Sequence, residues 1–286
     1  MDAPVRRTLR HPGPVAPARV AAAPVRLRAI EGELRPGFTV LAEVARVFAE
    51  AGGASGVLTL QGGRCRPYRY VIPAWSTDGV HAAWYSDTFE APDGAEIEEA
   101  VAIVGLENGR PFLHCHGRWQ AGAGMPEAGH MLPGECVVDE AIPFRGLVAD
   151  GAAFERLPDL ETAFSLFTPV ADAAPERPDG LLLRLLPGED VVTAVERACE
   201  AAGIGRARIH GIGSVDGVRF ADGARVDCAA TEIFFSNGRR VADGRVDLPA
   251  VVVDVDGAVG EGTFARDDNP VGVTFEIVVE ALGDME

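Results

Sequence analysis

Apolar residues recur along this chain at two spacings. Val40, Val44, Val47, Phe48 and Ala51 stand at helical intervals, the buried stripe of an amphipathic helix that Thr39 would cap and Gly52 would stop. The stripe returns as Val191, Val195, Ala198, Cys199 and Ala202, between Asp190 and Gly203. The offset is 151 residues (191 − 40), and Arg35-Pro36-Gly37-Phe38-Thr39-Val40 recurs at the same offset as Leu186-Pro187-Gly188-Glu189-Asp190-Val191. The chain is an internal repeat. After each helix the pattern changes to a short strand ending in a glycine-rich turn: Val57–Leu60 before Gly62-Gly63, and Ala207–Ile209 before Gly211-Ile212-Gly213-Ser214. Further β-branched and aromatic runs follow at Tyr68–Ile72, Val80–Tyr85, Ala250–Val255 and Val271–Val279. One helix and several strands per repeat predict an α+β fold, each unit a mostly antiparallel sheet with one packed helix. Residues 1–27, with five prolines and no periodicity, read as a flexible arm. The stretch Ala171–Gly180, rich in Pro, Ala and charge, reads as the linker, with its bounds set at 166–177, overlapping that stretch.

Composition narrows the class. With 286 residues, 47% hydrophobic and 24% charged, two domains can each bury a core. No apolar run approaches the roughly 20 residues that cross a bilayer, and no apolar stretch follows Arg6, Arg7 and Arg10, so no membrane partner or secretory signal is expected and the cytoplasm is the expected location. The five cysteines form no CxxC pair and read as reduced thiols. All 26 basic residues are arginine, which excludes Schiff-base lysine, lysine-held pyridoxal phosphate and P-loop chemistry. Residues 1–28 carry six arginines and one aspartate. The remainder holds 20 arginines against 42 acids, or −22, a balance that repels phosphate backbones and argues against a nucleic-acid partner.

Chemistry concentrates between residues 68 and 130, which hold every tryptophan and tyrosine and four of the six histidines. On a strand, His114 and His116 point one way and Cys115 the other. His130 follows fourteen residues on, past the glycine-rich Gly122–Gly129 loop. Three neutral imidazoles with an open fourth position describe a divalent metal site, zinc first, with iron, manganese and nickel also open. The competing reading pairs the strand histidines with backbone acceptors and leaves His130 in a loop. Arg64, Arg66, Tyr68 and Tyr70 alternate onto one face and, with Trp84 and Tyr85, are the candidate substrate-binding residues for a small anionic ligand. The alternative is a solvated edge strand. Arg118, on the histidine face, is the candidate anchor, and His81 the candidate acid or base. Glu135 and Glu127, flanking His130, are candidate general bases. His210 reads as structural, and His11 has no assigned role.

Several of these segments resemble the PPC (plants and prokaryotes conserved) domain. The second repeat is similar to it in Leu185-Leu186-Pro187-Gly188-Glu189-Asp190, in Gly203-Ile204 leading to Ile209-His210-Gly211-Ile212-Gly213-Ser214, and in Phe275-Glu276-Ile277-Val278-Val279. The first is similar in His114-Cys115-His116 and Gly129-His130-Met131-Leu132. The resemblance implies two tandem PPC-like domains at 28–165 and 178–283, a metal on the three histidines, and a homo-oligomer, a trimer. The Arg-Gly-Arg-Pro hook of DNA-binding plant relatives is missing. A cupin also uses HxH but expects a glutamate where Gln120 stands. Aligning Gly109-Arg110 with Gly244-Arg245 sets His114 and His116 against Pro249 and Val251, and Gly129-His130 against Gly262-Thr263, so the second repeat reads as a structural partner without a site. The expected function is a metal-dependent hydrolase or lyase acting on a small molecule. The alternatives are a non-catalytic metal- or ligand-binding protein and a regulatory DNA-binding protein.

Overall fold

A computed structural model of the chain describes residues 8–173, 175–240 and 243–283. Among them are two helices, Val40–Glu50 and Val191–Ala201, in the expected places. Thr39 Oγ1 accepts from the Ala42 N–H at 3.2 Å and the Asp190 carboxylate from the Thr193 N–H at 2.9 Å, the N-terminal caps that their residue types favour. The rest is mostly antiparallel sheet.

Each half builds one main sheet with the same strand order. In the first, Val20–Leu34 pairs with Ile142–Asp150, then come Gly56–Leu60, Ala95–Glu107, Arg110–Gln120 and Glu127–Met131. In the second, Gly180–Leu185 pairs with Val271–Ala281, then come Ala207–Val215, Thr231–Arg240, Pro249–Asp254 and Val259–Thr263. One core lies between the first helix and its sheet, built on Val44, Phe48, Leu58, Cys115 and Trp119. A matching core holds Val195, Cys199, Ile209, Phe235 and Ile277. A third core joins Val57, Val101 and Ile103 of one sheet to Leu182, Phe234 and Val278 of the other. The layers therefore run helix, sheet, sheet, helix, with the inner faces of the sheets buried against each other.

Four expectations are corrected. Residues 20–27 are not a flexible arm: Val20–Leu34 is a single strand whose first part pairs with Gly180–Leu185 and whose second part pairs with Ile142–Asp150, so it belongs to both sheets. Its alternation of buried Ala23, Val25 and Leu27 is the period-two pattern of a strand, masked by the surrounding Pro and Ala. Residues 8–19 are tied to both halves, by bonds from Leu9 N to Asp216 at 3.0 Å and His11 Nε2 to the Gly272 carbonyl at 2.8 Å on one side and from the Gly13 and Ala16 N–H groups to Glu161 at 3.0 Å on the other; residues 1–7 of the expected arm lie outside the described residues. The first half of the expected linker at 166–177 falls on the strand Ser165–Ala171, because Phe167 is drawn into the inter-sheet core; Ala174 lies outside the described residues. Gly211 and Gly213 are not a turn but the middle of a strand, where a Cβ would meet the Phe235 ring at 2.7 Å and the Thr274 carbonyl at 2.4 Å. Of Val80–Tyr85 only Trp84–Tyr85 is strand, since Asp78 caps the N–H groups of Val80 and His81 in a turn.

Candidate metal centre

The hairpin Arg110–Gln120/Glu127–Met131 carries the histidines. Leu113, Cys115 and Trp119 enter the helix-side core, which turns His114 and His116 toward the opposite sheet. His130 is the cross-strand partner of His116. The three rings stand 4.6, 5.0 and 5.2 Å apart between centroids. From the facing sheet, Glu232 projects from Thr231–Arg240 and Glu276 from Val271–Ala281. One donor atom from each of His114, His116, His130 and Glu232 lies within 4.8 Å of the others.

Hydrogen bonds orient the ligands. His116 Nδ1 donates to the Ile233 carbonyl at 2.8 Å, while its Nε2 is bonded to Glu232 and lies 3.0 Å from His114 Nε2. His114 Nδ1 is bonded to Glu276. Both rings therefore have Nδ1 occupied and Nε2 turned to the common point, the arrangement in which an outer carboxylate or carbonyl fixes a ligating imidazole. His130 Nδ1 is buried without a partner, 3.9 Å from Glu232. Burial, then the charge of its neighbour His116, lowers the pKa of His114 to about 3; burial and then His114 hold His130 well below its ordinary value. Both are neutral, as ligands must be. Burial also pulls on His116, but the Glu232 carboxylate outweighs it and raises the pKa. In Glu232 the attraction of the imidazoles, His116 first, overcomes burial and lowers the pKa. Burial pushes Glu276 up to about 8 against the pull of Arg184 and His116. Three imidazoles and two carboxylates in a protein interior are costly unless their lone pairs meet a cation, and the orphaned His130 nitrogen marks where one is missing a partner. The donor set fits a divalent metal ion.

A cavity of about 60 Å³ opens onto His114, His116 and Glu232. Trp84 and Tyr85 are in its wall, together with Phe164 and Leu9. His81 stands behind that wall, tilted against the Trp84 and Phe164 rings at 4.4 and 4.5 Å with Nδ1 on Asp78 at 2.5 Å. The other expected residues lie elsewhere. Arg64 and Arg66 turn to Asp139, at 3.6 and 3.7 Å. Tyr68 and Tyr70 pack on Trp119 in the helix-side core, each at 4.7 Å, because bulky rings take the buried face of their strand. Arg118 shares the histidine face but is held by Glu98 at 2.7 Å and Glu261 at 3.0 Å. Glu135 is on the outside with Arg69 at 3.1 Å, and Glu127 accepts from the Tyr70 hydroxyl at 2.9 Å.

The second half is more than scaffolding, since it supplies Glu232 and Glu276. The signal for both was a lone carboxylate inside an apolar run, Thr231-Glu232-Ile233-Phe234-Phe235 and Thr274-Phe275-Glu276-Ile277-Val278. Such a residue on a central strand is buried and must have a partner. The register also moves the alignment of the halves. Pro249 pairs with Thr263 as His116 pairs with His130, so Pro249 occupies the place of His116 rather than that of His114. Neither replacement offers an imidazole.

No family model matches the chain, and no curated protein does. Among solved structures the chain is similar to a plant- and prokaryote-conserved (PPC) protein of Pyrococcus horikoshii, at 18% identity and a TM-score of 0.42 over 52% of this chain and 96% of that one. It is also similar to a metal-containing protein of Archaeoglobus fulgidus, at 21% identity and a TM-score of 0.40 over 49% and 92%. A hypothetical protein of Salmonella matches at 16% identity and a TM-score of 0.37, over 51% and 96%.

Proposed function

We propose that the chain is a tandem PPC-type protein whose halves jointly form one metal-dependent active site, with His114, His116 and His130 as ligands of a zinc ion. The observation that carries this is the convergence of three imidazoles from one sheet on Glu232 from the other, beside a cavity. A bound divalent ion supplies Lewis acidity, which polarises a carbonyl or makes water acidic. Hydrolase or lyase chemistry on a small molecule follows from such a centre. The protein contributes the rest. Glu276 and the Ile233 carbonyl hold the imidazole rings in place. Among the described residues Glu232 is the one carboxylate in the cavity wall, and it takes the proton that the reaction releases. Trp84, Tyr85 and Phe164 exclude water from one side of the cavity.

Elemental analysis and an assay of small esters, lactones and amides test this reading. The wild type should carry one metal ion per chain, and the His114→Ala/His116→Ala variant should lose it while keeping its fold. Glu232→Gln should keep the ion and lose at least about 100-fold in turnover, the contribution usual for a positioned general base. Full occupancy in the double histidine variant, or undiminished turnover in Glu232→Gln, would contradict it.

A further inference from the structure

The cavity wall beyond the ligands narrows what the site accepts, an inference that rests on the proposed metal centre. Among the described residues no arginine lines the cavity. The arginines around it are engaged: Arg118 with Glu98 and Glu261, Arg156 with Glu107, and Arg184 with Asp159 at 2.7 Å. Glu232 and Glu276 stand at the cluster itself. With those arginines engaged, an incoming anion would find no free guanidinium in the wall of the metal-free cavity.

The polar groups of the wall are equally specific. Thr231 Oγ1 is engaged, donating to the Val215 carbonyl at 2.8 Å and accepting from the Val215 N–H at 3.1 Å. Ser214 Oγ accepts from the Val273 N–H at 2.9 Å. Thr274 Oγ1 has no partner, although the residue is only 4% exposed and lines the cavity. A buried hydroxyl left unbonded in a native fold is a cost that a ligand can relieve. Beyond the ligands the remaining wall is mostly apolar, with the rings of Trp84, Tyr85 and Phe164 and the side chain of Leu9, the Tyr85 hydroxyl being a further polar group.

We infer that this cavity takes a small uncharged molecule, such as an amide, ester, lactone or alcohol, whose apolar body lies against Trp84, Tyr85 and Phe164 and whose polar atom bonds Thr274 Oγ1. An arginine-clamped anion is not its ligand. The volume limits that molecule to a few non-hydrogen atoms.

Isobutyramide and isobutyrate, which match in shape and differ in charge, test this on the full chain. Their binding is followed by ligand-observed NMR titration of the metal-free protein. In the metal-free form the amide should bind at least about tenfold more tightly than the acid, and Thr274→Val should weaken the amide about fivefold, the size of one net hydrogen bond. Thr274→Ser, which keeps the hydroxyl, should bind as the wild type does. Isobutyrate binding as tightly as the amide in the metal-free form, or amide affinity unchanged in Thr274→Val, would overturn the inference. Failure of the metal centre itself shows separately as absence of the ion on elemental analysis, and the preference measured on the metal-free protein still decides this inference.

Discussion

Glu276 separates a metal centre from a cluster of hydrogen-bonded histidines. Its carboxylate holds His114 Nδ1 and leaves Nε2 turned inward. Replacement by glutamine keeps shape and an acceptor oxygen but removes the ionisable carboxyl group, which burial pushes up to about 8 and which a bound cation would draw into its charged form to strengthen the imidazole. Zinc affinity should then fall about 10- to 100-fold, as for other outer-shell partners of ligating histidines, and competition against a chromophoric chelator measures it. Unchanged affinity would remove Glu276 from the site. At this scale the sequence was partly legible. His114 and His116 were readable because strand alternation is local, and His130 because a hairpin return over fourteen residues is short. Glu232 and Glu276 were not, since their place depends on which sheet faces which. Arg64 and Arg66 were wrongly grouped with Tyr68 and Tyr70, because Arg64–Cys65 and Tyr68–Val71 are separate strands and the alternation does not run through Pro67 between them.

The helix Val40–Glu50 is anchored by Glu43, whose carboxylate accepts from the Arg35 N–H at 2.8 Å and pairs with the guanidinium groups of Arg35 and Arg46. Its place in the first turn also suits the helix dipole. The Arg46 hydrogen bond foremost, with Arg35 adding to it against burial, lowers its pKa from 4.5 to about 2. The folded value lies below the unfolded one, so the stabilisation is complete above pH 4.5 and is lost as pH falls toward 2. Water screens half-exposed Arg35, so we expect roughly 1–2 kcal/mol from this group. Urea unfolding of Glu43→Ala against the wild type should show that deficit at pH 7 and little at pH 2; an equal deficit at both would contradict the linkage. The helices were legible to the residue because a 3.6-residue stripe, an N-cap and a stop all agree. The strand Val20–Leu34 was missed because five prolines among residues 1–27 outweighed a short alternation.

Across the whole molecule the halves share a core and a strand. Val20–Leu34 hydrogen-bonds into both sheets, and Leu182, Phe234 and Val278 pack against Val57, Val101 and Ile103. Neither inner face is covered without the other, so calorimetry should show a single unfolding transition. Leu182→Ala, which empties a fully buried site, should lower it as a unit by roughly 2–5 kcal/mol. Two separable transitions would show that the halves fold independently. The repeat itself was legible from the 151-residue offset, whereas the facing of the sheets, a matter of packing between distant segments, was not. That facing is what makes one site from two repeats. Anomalous diffraction at the zinc edge from crystals of the zinc-loaded protein tests this most directly. The account predicts one peak per chain, about 2.0–2.1 Å from a ring nitrogen of each of His114, His116 and His130 and beside the Glu232 carboxylate. A peak elsewhere, or a second one in the half that carries Pro249 and Thr263, would contradict it.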